Sequence, residues 1–144
     1  MKIRDVLQKK GPQVHKIDAA ERFSGAIQRF GRSKIRCLLV TEGPRVVGIL
    51  TIRDALLHLD REGASALEQE VRAAMTRDVL SVTPETTLDE AHELFVGKSI
   101  NHLPVLEGGA LVGLVTRVDV LTSRAVDAED FNARLLEYVS GSHF

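Results

Sequence analysis

The stretch Val46-Val47-Gly48-Ile49-Leu50-Thr51-Ile52-Arg53-Asp54 returns 65 residues later as Leu111-Val112-Gly113-Leu114-Val115-Thr116-Arg117-Val118-Asp119. In both places an apolar run holds one glycine, ends at a threonine and is followed by an aspartate three residues on. Carried outward at the same spacing, the match begins at Val14/Val79 and runs without a gap to Leu56/Leu121. Of these 43 pairs, 12 are identical, including Ala26/Ala91, Phe30/Phe95, Ile35/Ile100, Val40/Val105, Glu42/Glu107 and Gly43/Gly108. Ile17/Val82, Phe23/Leu88 and Leu38/Leu103 keep their character. A match of this length marks a duplicated unit whose copies fold alike.

Each copy reads as β-α-β-β-α. Val14–Ile17 and Val79–Val82 read as short strands. Phe23, Ala26, Ile27 and Phe30 follow the helical i, i+3, i+4, i+7 spacing, as do Leu88, Ala91, His92 and Phe95. Thr87 with Glu90 has the spacing of a capping box. The apolar runs Cys37–Val40 and Val46–Leu50 are joined by Thr41-Glu42-Gly43-Pro44, and Leu103–Leu106 and Leu111–Val115 by Glu107-Gly108-Gly109, so each pair reads as a hairpin. Helices over Arg53–Arg61 and Val118–Arg124 close the copies. Gly63 is a helix stop, and Leu67, Val71 and Ala74 predict a helical segment in the linker. Phe131, Leu135, Leu136 and Val139 predict an amphipathic helix over Ala128–Val139, with a frayed end at Ser140–Phe144. The chain divides into a first copy (1–62), a linker (63–75), a second copy (76–126) and a C-terminal helix and tail (127–144). The fold class is α/β (α+β), the two copies being too small to stand alone and therefore pressed together as one pseudo-two-fold unit.

Composition narrows the functions. The chain has 144 residues, 44% hydrophobic and 27% charged, as soluble globular domains do. Its longest stretch free of charged residues is nine, Gly108–Thr116, far below the roughly 18 a membrane span needs. The N-terminus lacks a secretory apolar region. One cysteine, Cys37, excludes an internal disulfide and a cysteine-built zinc site, and fits a reducing, cytoplasmic setting. The net charge of −1 and the absence of Trp speak against nucleic-acid binding. Residues 1–72 hold 14 basic and 9 acidic groups, residues 73–144 hold 5 and 11, so an anionic ligand is expected to favour the first half. The five histidines lack metal-binding spacing, and no nucleophile-elbow or Walker pattern is present, so neither metal nor catalytic residues are assigned.

The repeated Gly-x-x-Thr-x-x-Asp sits where a strand runs into a helix. Glycine permits close approach of a ligand, a helix N-terminus offers free N–H groups to a phosphate, and an ionised aspartate accepts from the hydroxyls of a ribose. The same Thr-x-x-Asp also reads as a helix cap that needs no ligand. Lys34, Arg36, Arg53 and Arg117 could meet a phosphate, His102 could stack or donate to one, and Asn101 could read a base edge.

The second copy, with Met75-Thr76-Arg77-Asp78-Val79, Thr87-Leu88-Asp89-Glu90-Ala91, Ile100-Asn101-His102-Leu103-Pro104-Val105 and Leu111–Asp119, resembles the CBS domain, the cystathionine-β-synthase-type module. The first copy is more divergent. The resemblance runs from about residue 3 to 125 and leaves no separate catalytic domain. It implies a tandem pair: a regulatory, non-catalytic module, commonly a dimer, whose two clefts between the copies bind adenosine nucleotides (AMP, ADP, ATP) or S-adenosylmethionine. It assigns phosphate contact to Thr51 and Thr116 and ribose contact to Asp54 and Asp119. The first copy has Cys37 for His102, Leu39 for Pro104 and no Thr-rich helix start, so one occupied cleft and two are both open. A ligand-free interaction scaffold docking a protein partner through the tail is the other class of function.

Overall fold

The computed structural model describes the backbone of residues 1–140 and side chains to residue 137. Val139 as a side chain and the fraying expected beyond residue 140 lie outside the described residues. The elements run α1 (Ile3–Lys10), β1 (Lys16–Asp18), α2 (Phe23–Ser33), β2 (Cys37–Glu42), β3 (Arg45–Thr51), α3 (Ile52–Glu62), α4 (Leu88–Lys98), β4 (His102–Glu107), β5 (Ala110–Thr116) and α5 (Arg117–Ser140).

The hairpins form as the alternation and turn chemistry dictate. β2 pairs antiparallel with β3, placing Cys37 opposite Thr51, and β4 with β5, placing His102 opposite Thr116. Gly108 and Gly109 both have positive φ, the backbone that a tight two-residue hairpin turn requires. β1 adds in parallel to β2, with Ile17 opposite Val40, giving a three-stranded sheet. The matching strand expected at Val79–Val82 is reduced to one parallel bridge, Val82 to Val105, and the second sheet has two strands. Two prolines are the cause. In the first copy Leu39 donates its N–H to the His15 carbonyl and Ala19 donates to the Thr41 carbonyl, both at 2.9 Å; their counterparts are Pro104 and Pro84, which have no N–H to give, and the ladder fails on both sides of the Val82 bridge.

Three other expectations change. Residues 3–10, assigned no element from sequence, form α1. The linker folds as two 3₁₀ segments, Gly63–Glu68 and Val71–Ala73, burying Ala66 rather than Leu67. The closing helix of the second copy and the tail helix are one helix of 24 residues, because residues 118–139 hold neither glycine nor proline to stop it.

The core is double. Ile17, Phe23, Ala26, Leu38, Val40 and Leu50 pack with Ala66, Val71 and Ala74 of the linker. Leu88, Ala91, Phe95, Leu103, Val105, Val115 and Val120 pack with Ile3 and Val6 of α1. Each repeat is thus completed by the segment that leads into the other. The lead-ins are held by matching bridges, Arg22 to Glu70 in one repeat and Lys2 to Thr87 in the other. They also lie over matching glycines. A Cβ on Gly48 would sit 2.4 Å from the Met75 sulfur, and one on Gly113 2.7 Å from a Leu7 methyl. The glycines expected to admit a ligand make room for the chain's own lead-ins instead.

Candidate functional site

Thr51 ends β3 and caps α3. Its Oγ1 accepts from the Asp54 N–H at 3.2 Å, and its own N–H donates to Asp54 Oδ2 at 2.9 Å. Thr116 and Asp119 repeat this at the start of α5, with distances of 3.1 and 2.9 Å. The helix-cap reading of Thr-x-x-Asp is therefore fulfilled in both copies, and it leaves each aspartate with acceptor capacity to spare.

A cleft of about 910 Å³ opens between the repeats. From the first it is lined by Arg36, Ile49, Thr51, Ile52, Arg53 and Asp54, with Thr76 from the lead-in. From the second come Ser99, Ile100, Asn101, His102, Thr116, Arg117 and Val118. The hairpin registers explain the gathering. The Ile52 N–H donates to the Arg36 carbonyl at 3.1 Å and the Arg117 N–H to the Asn101 carbonyl at 3.0 Å, so the entry of β2 is held beside the exit of β3, and that of β4 beside the exit of β5.

Eight of the ten residues singled out from sequence line this one cleft: Thr51, Arg53, Asp54, Arg36, Asn101, His102, Thr116 and Arg117. Lys34 does not. It is exposed and turns the chain at the end of α2 in the left-handed region, as Ser99 does after α4. Asp119 does not line it either, its carboxylate being held by Lys10 Nζ at 2.6 Å. Ile49, Ile100 and Thr76 were not foreseen. Ile49 lies inside the repeated motif, but apolar alternation alone does not tell a cleft wall from a core face.

Electrostatically the cleft is cationic. Arg36, Arg53 and Arg117 have no side-chain hydrogen bond or ion pair among the described residues, and Asp54 is the one carboxylate lining it. Asp54 Oδ2 also accepts from the Thr51 hydroxyl at 3.0 Å, and Oδ1 from the Thr76 hydroxyl at 3.3 Å. Burial depresses the pKa of His102, helped by the charges of Lys10 and Arg36 and opposed by Asp119 and Asp54. Burial and the nearby Asp54 push the Cys37 thiol up to about 12, which makes it an inert buried side chain behind the cleft lining. Among the described residues no group of three or more His, Cys, Asp or Glu side chains converges. No described helix is long and apolar enough to cross a membrane.

The cleft sets the apolar side chains of Ile49, Ile52, Ile100 and Val118 beside several donors and one carboxylate. Comparison with known proteins shows the family. The chain is 28% identical over 123 residues to the mitochondrial CBS domain-containing protein CBSX3 of Arabidopsis thaliana, covering 82% of this chain and 60% of that protein. It is 36% identical over 119 residues to an inosine-5′-monophosphate dehydrogenase of Korarchaeum cryptofilum, covering 82% of this chain but 22% of that enzyme. It therefore spans less than two thirds of the length of the curated relatives it matches. A crystal structure of a CBS-domain containing protein from Agrobacterium tumefaciens superposes with a TM-score of 0.81 at 31% identity, covering 86% of this chain and 99% of that one. At 21% and 23% identity the fold is shared with a CBS domain pair solved with 5′-methylthioadenosine and S-adenosyl-L-methionine and with CBSX2 solved with AMP. The CBS domain family model matches residues 3–61 and 70–125, and the chain belongs to the CBS-domain family as a tandem pair.

Proposed function

We propose that the chain is a regulatory module that binds an adenine nucleotide of the AMP, ADP or ATP class in the cleft between its two repeats, without catalysis. The observation that carries this reading is the convergence of three unpaired guanidiniums on a cleft whose single carboxylate, Asp54, has one oxygen, Oδ1, engaged only by the long bond from Thr76. Phosphate oxygens satisfy guanidinium groups bidentately, and a ribose hydroxyl has an acceptor in Asp54. Ile49 and Ile100 offer apolar surface to the base. Structural relatives that hold AMP or S-adenosylmethionine support the class of ligand. The three arginines favour an anionic nucleotide over S-adenosylmethionine, whose sulfonium is positive.

Calorimetry and thermal unfolding with AMP, ADP, ATP and S-adenosylmethionine test the proposal. With a micromolar constant, 1 mM nucleotide raises stability by about 4 kcal/mol. Asp54→Ala and Arg53→Ala are expected to remove most of that gain. No response to any of the four compounds would defeat the reading.

Signalling requires something to receive it. Leu56 of α3 and Leu121 of α5 hold matching positions in the repeat, and they are 62% and 42% exposed. A doubled apolar patch suits a second copy of the chain, and the reading includes a homodimer in the cytoplasm. One observation favours the alternative, a scaffold that docks a protein partner: Phe131, Leu135 and Leu136 form an exposed apolar stripe on the far half of α5. Cutting the chain after residue 126 separates the two. Loss of association with nucleotide binding intact assigns the contact to the tail; retained dimers assign it to Leu56 and Leu121.

A further inference from the structure

The two repeats treat their aspartates differently. In the first, Thr76 pairs with Ile49: the Thr76 N–H donates to the Ile49 carbonyl at 2.8 Å and the Thr76 hydroxyl donates to Asp54 Oδ1 at 3.3 Å. In the second, the positions matching Ile49 and Asp54 are Leu114 and Asp119. One group serves both: Lys10 Nζ donates to the Leu114 carbonyl at 3.0 Å and to Asp119 Oδ2 at 2.6 Å. The difference follows from the lead-ins. After Met75 the chain leaves its helical turn and runs along β3. After Leu7, which covers Gly113 as Met75 covers Gly48, helix α1 continues for three more residues and delivers Lys10 over the end of β5.

We propose that Lys10 closes the second repeat's Thr-x-x-Asp crevice from within the chain, so that one nucleotide binds per chain, at Asp54. The inference rests on the nucleotide reading above and deepens it by fixing which aspartate is available. A ribose hydroxyl competes on equal terms with the long bond from the Thr76 hydroxyl. At Asp119 it does not displace the ammonium 2.6 Å from Oδ2, because charge-assisted bonds are about twice as strong as neutral ones, and a ribose at Oδ1 would have to share the carboxylate with that ammonium. The pair is shielded too, Lys10 and Asp119 being only 30% and 25% exposed. Burial would raise the Asp119 pKa, but the bonds from Lys10 and Thr116 outweigh it and hold the carboxyl below the usual range, so it stays ionised for Lys10 at neutral pH. Asp119 and Lys10 are both missing from the lining of the open cleft.

The test counts sites by calorimetry with AMP on the wild-type chain, Asp54→Asn, Lys10→Met and Lys10→Met/Asp54→Asn. The expected stoichiometries are one, none, two and one. Lys10→Gln replaces Lys10→Met if thermal unfolding shows that the methionine variant does not fold. Two sites in the wild-type chain, or a single site surviving unchanged in Lys10→Met, overturns the closure and leaves the nucleotide reading standing. No uptake by the wild-type chain but one equivalent in Lys10→Met sinks the reading at Asp54 and upholds the closure. No uptake by either protein overturns both.

Discussion

His102 is the residue at which pH enters. Its folded pKa lies below the ordinary 6.5 or so, so the unfolded chain takes up a proton before the folded chain does. The contribution to stability is complete above about pH 6.5 and falls as the pH drops from there toward the folded value. Urea unfolding at pH 7.5 and 5.5 is expected to show a loss that His102→Gln removes. A phosphate beside the ring reverses the local balance of charge and raises its pKa. AMP binding near pH 6.5 is therefore expected to take up a fraction of a proton, measured by calorimetry in buffers of different ionisation enthalpy, and His102→Gln abolishes it. Cys37 behaves oppositely. With its thiol pushed up to about 12, it is expected to resist thiol reagents in the native state and to react on unfolding.

At the scale of elements, the helix ends carry the local energetics. Thr87 caps α4 through the Glu90 N–H at 3.1 Å, and Thr87→Ala is expected to cost about 1 kcal/mol in chemical unfolding. α2 begins at Arg22 with no side-chain cap, which is the structural result of the missing threonines at that helix start. Both α2 and α4 stop at a non-glycine residue with positive φ, Lys34 at 54° and Ser99 at 52°. That conformation costs an L-residue roughly 1–2 kcal/mol. Lys34→Gly, at an exposed position, is expected to raise stability by about 1 kcal/mol, and a lower unfolding midpoint would contradict the cause. Strands obey the same local logic. Pro104→Leu restores one of the two missing N–H groups and is expected to extend the Val82 bridge by one rung, visible as slowed hydrogen exchange at residue 104.

For the whole molecule, the crossed lead-ins decide cooperativity. Ile3 is fully buried among residues 82–120 although it stands at the opposite end of the chain. Ile3→Ala is expected to cost about 2–5 kcal/mol and to loosen the second repeat first, seen as faster amide exchange in α4 and β4 than in α2 and β2. Val71→Ala, in the linker, is expected to do the same to the first repeat. Equal loosening of both repeats by each substitution would mean that the two cores unfold only together. His58 ties the same linker to α3: fully enclosed, it meets Gln69 Oε1 at 2.7 Å and stands edge-on to Phe23 at 5.1 Å.

The residues alone carry the duplication and the hairpin and helices of each copy, and together with the family resemblance they point to eight residues of the cleft. These rest on local rules: apolar period, turn glycines, and the Thr-x-x-Asp spacing that is a helix cap wherever it occurs. The Ile3, Val6, Leu7 spacing of α1 was readable in the same way, but its packing partners were not. What local rules do not reach is that Gly48 and Gly113 seat the lead-ins, that Pro84 and Pro104 cost a strand, and that Lys10 holds Asp119 while Asp54 faces an open cleft. Each of these depends on contact between segments that are distant in the chain, up to 109 residues for Lys10 and Asp119. A periodic pattern tells which face of an element is buried, but not which distant segment buries it.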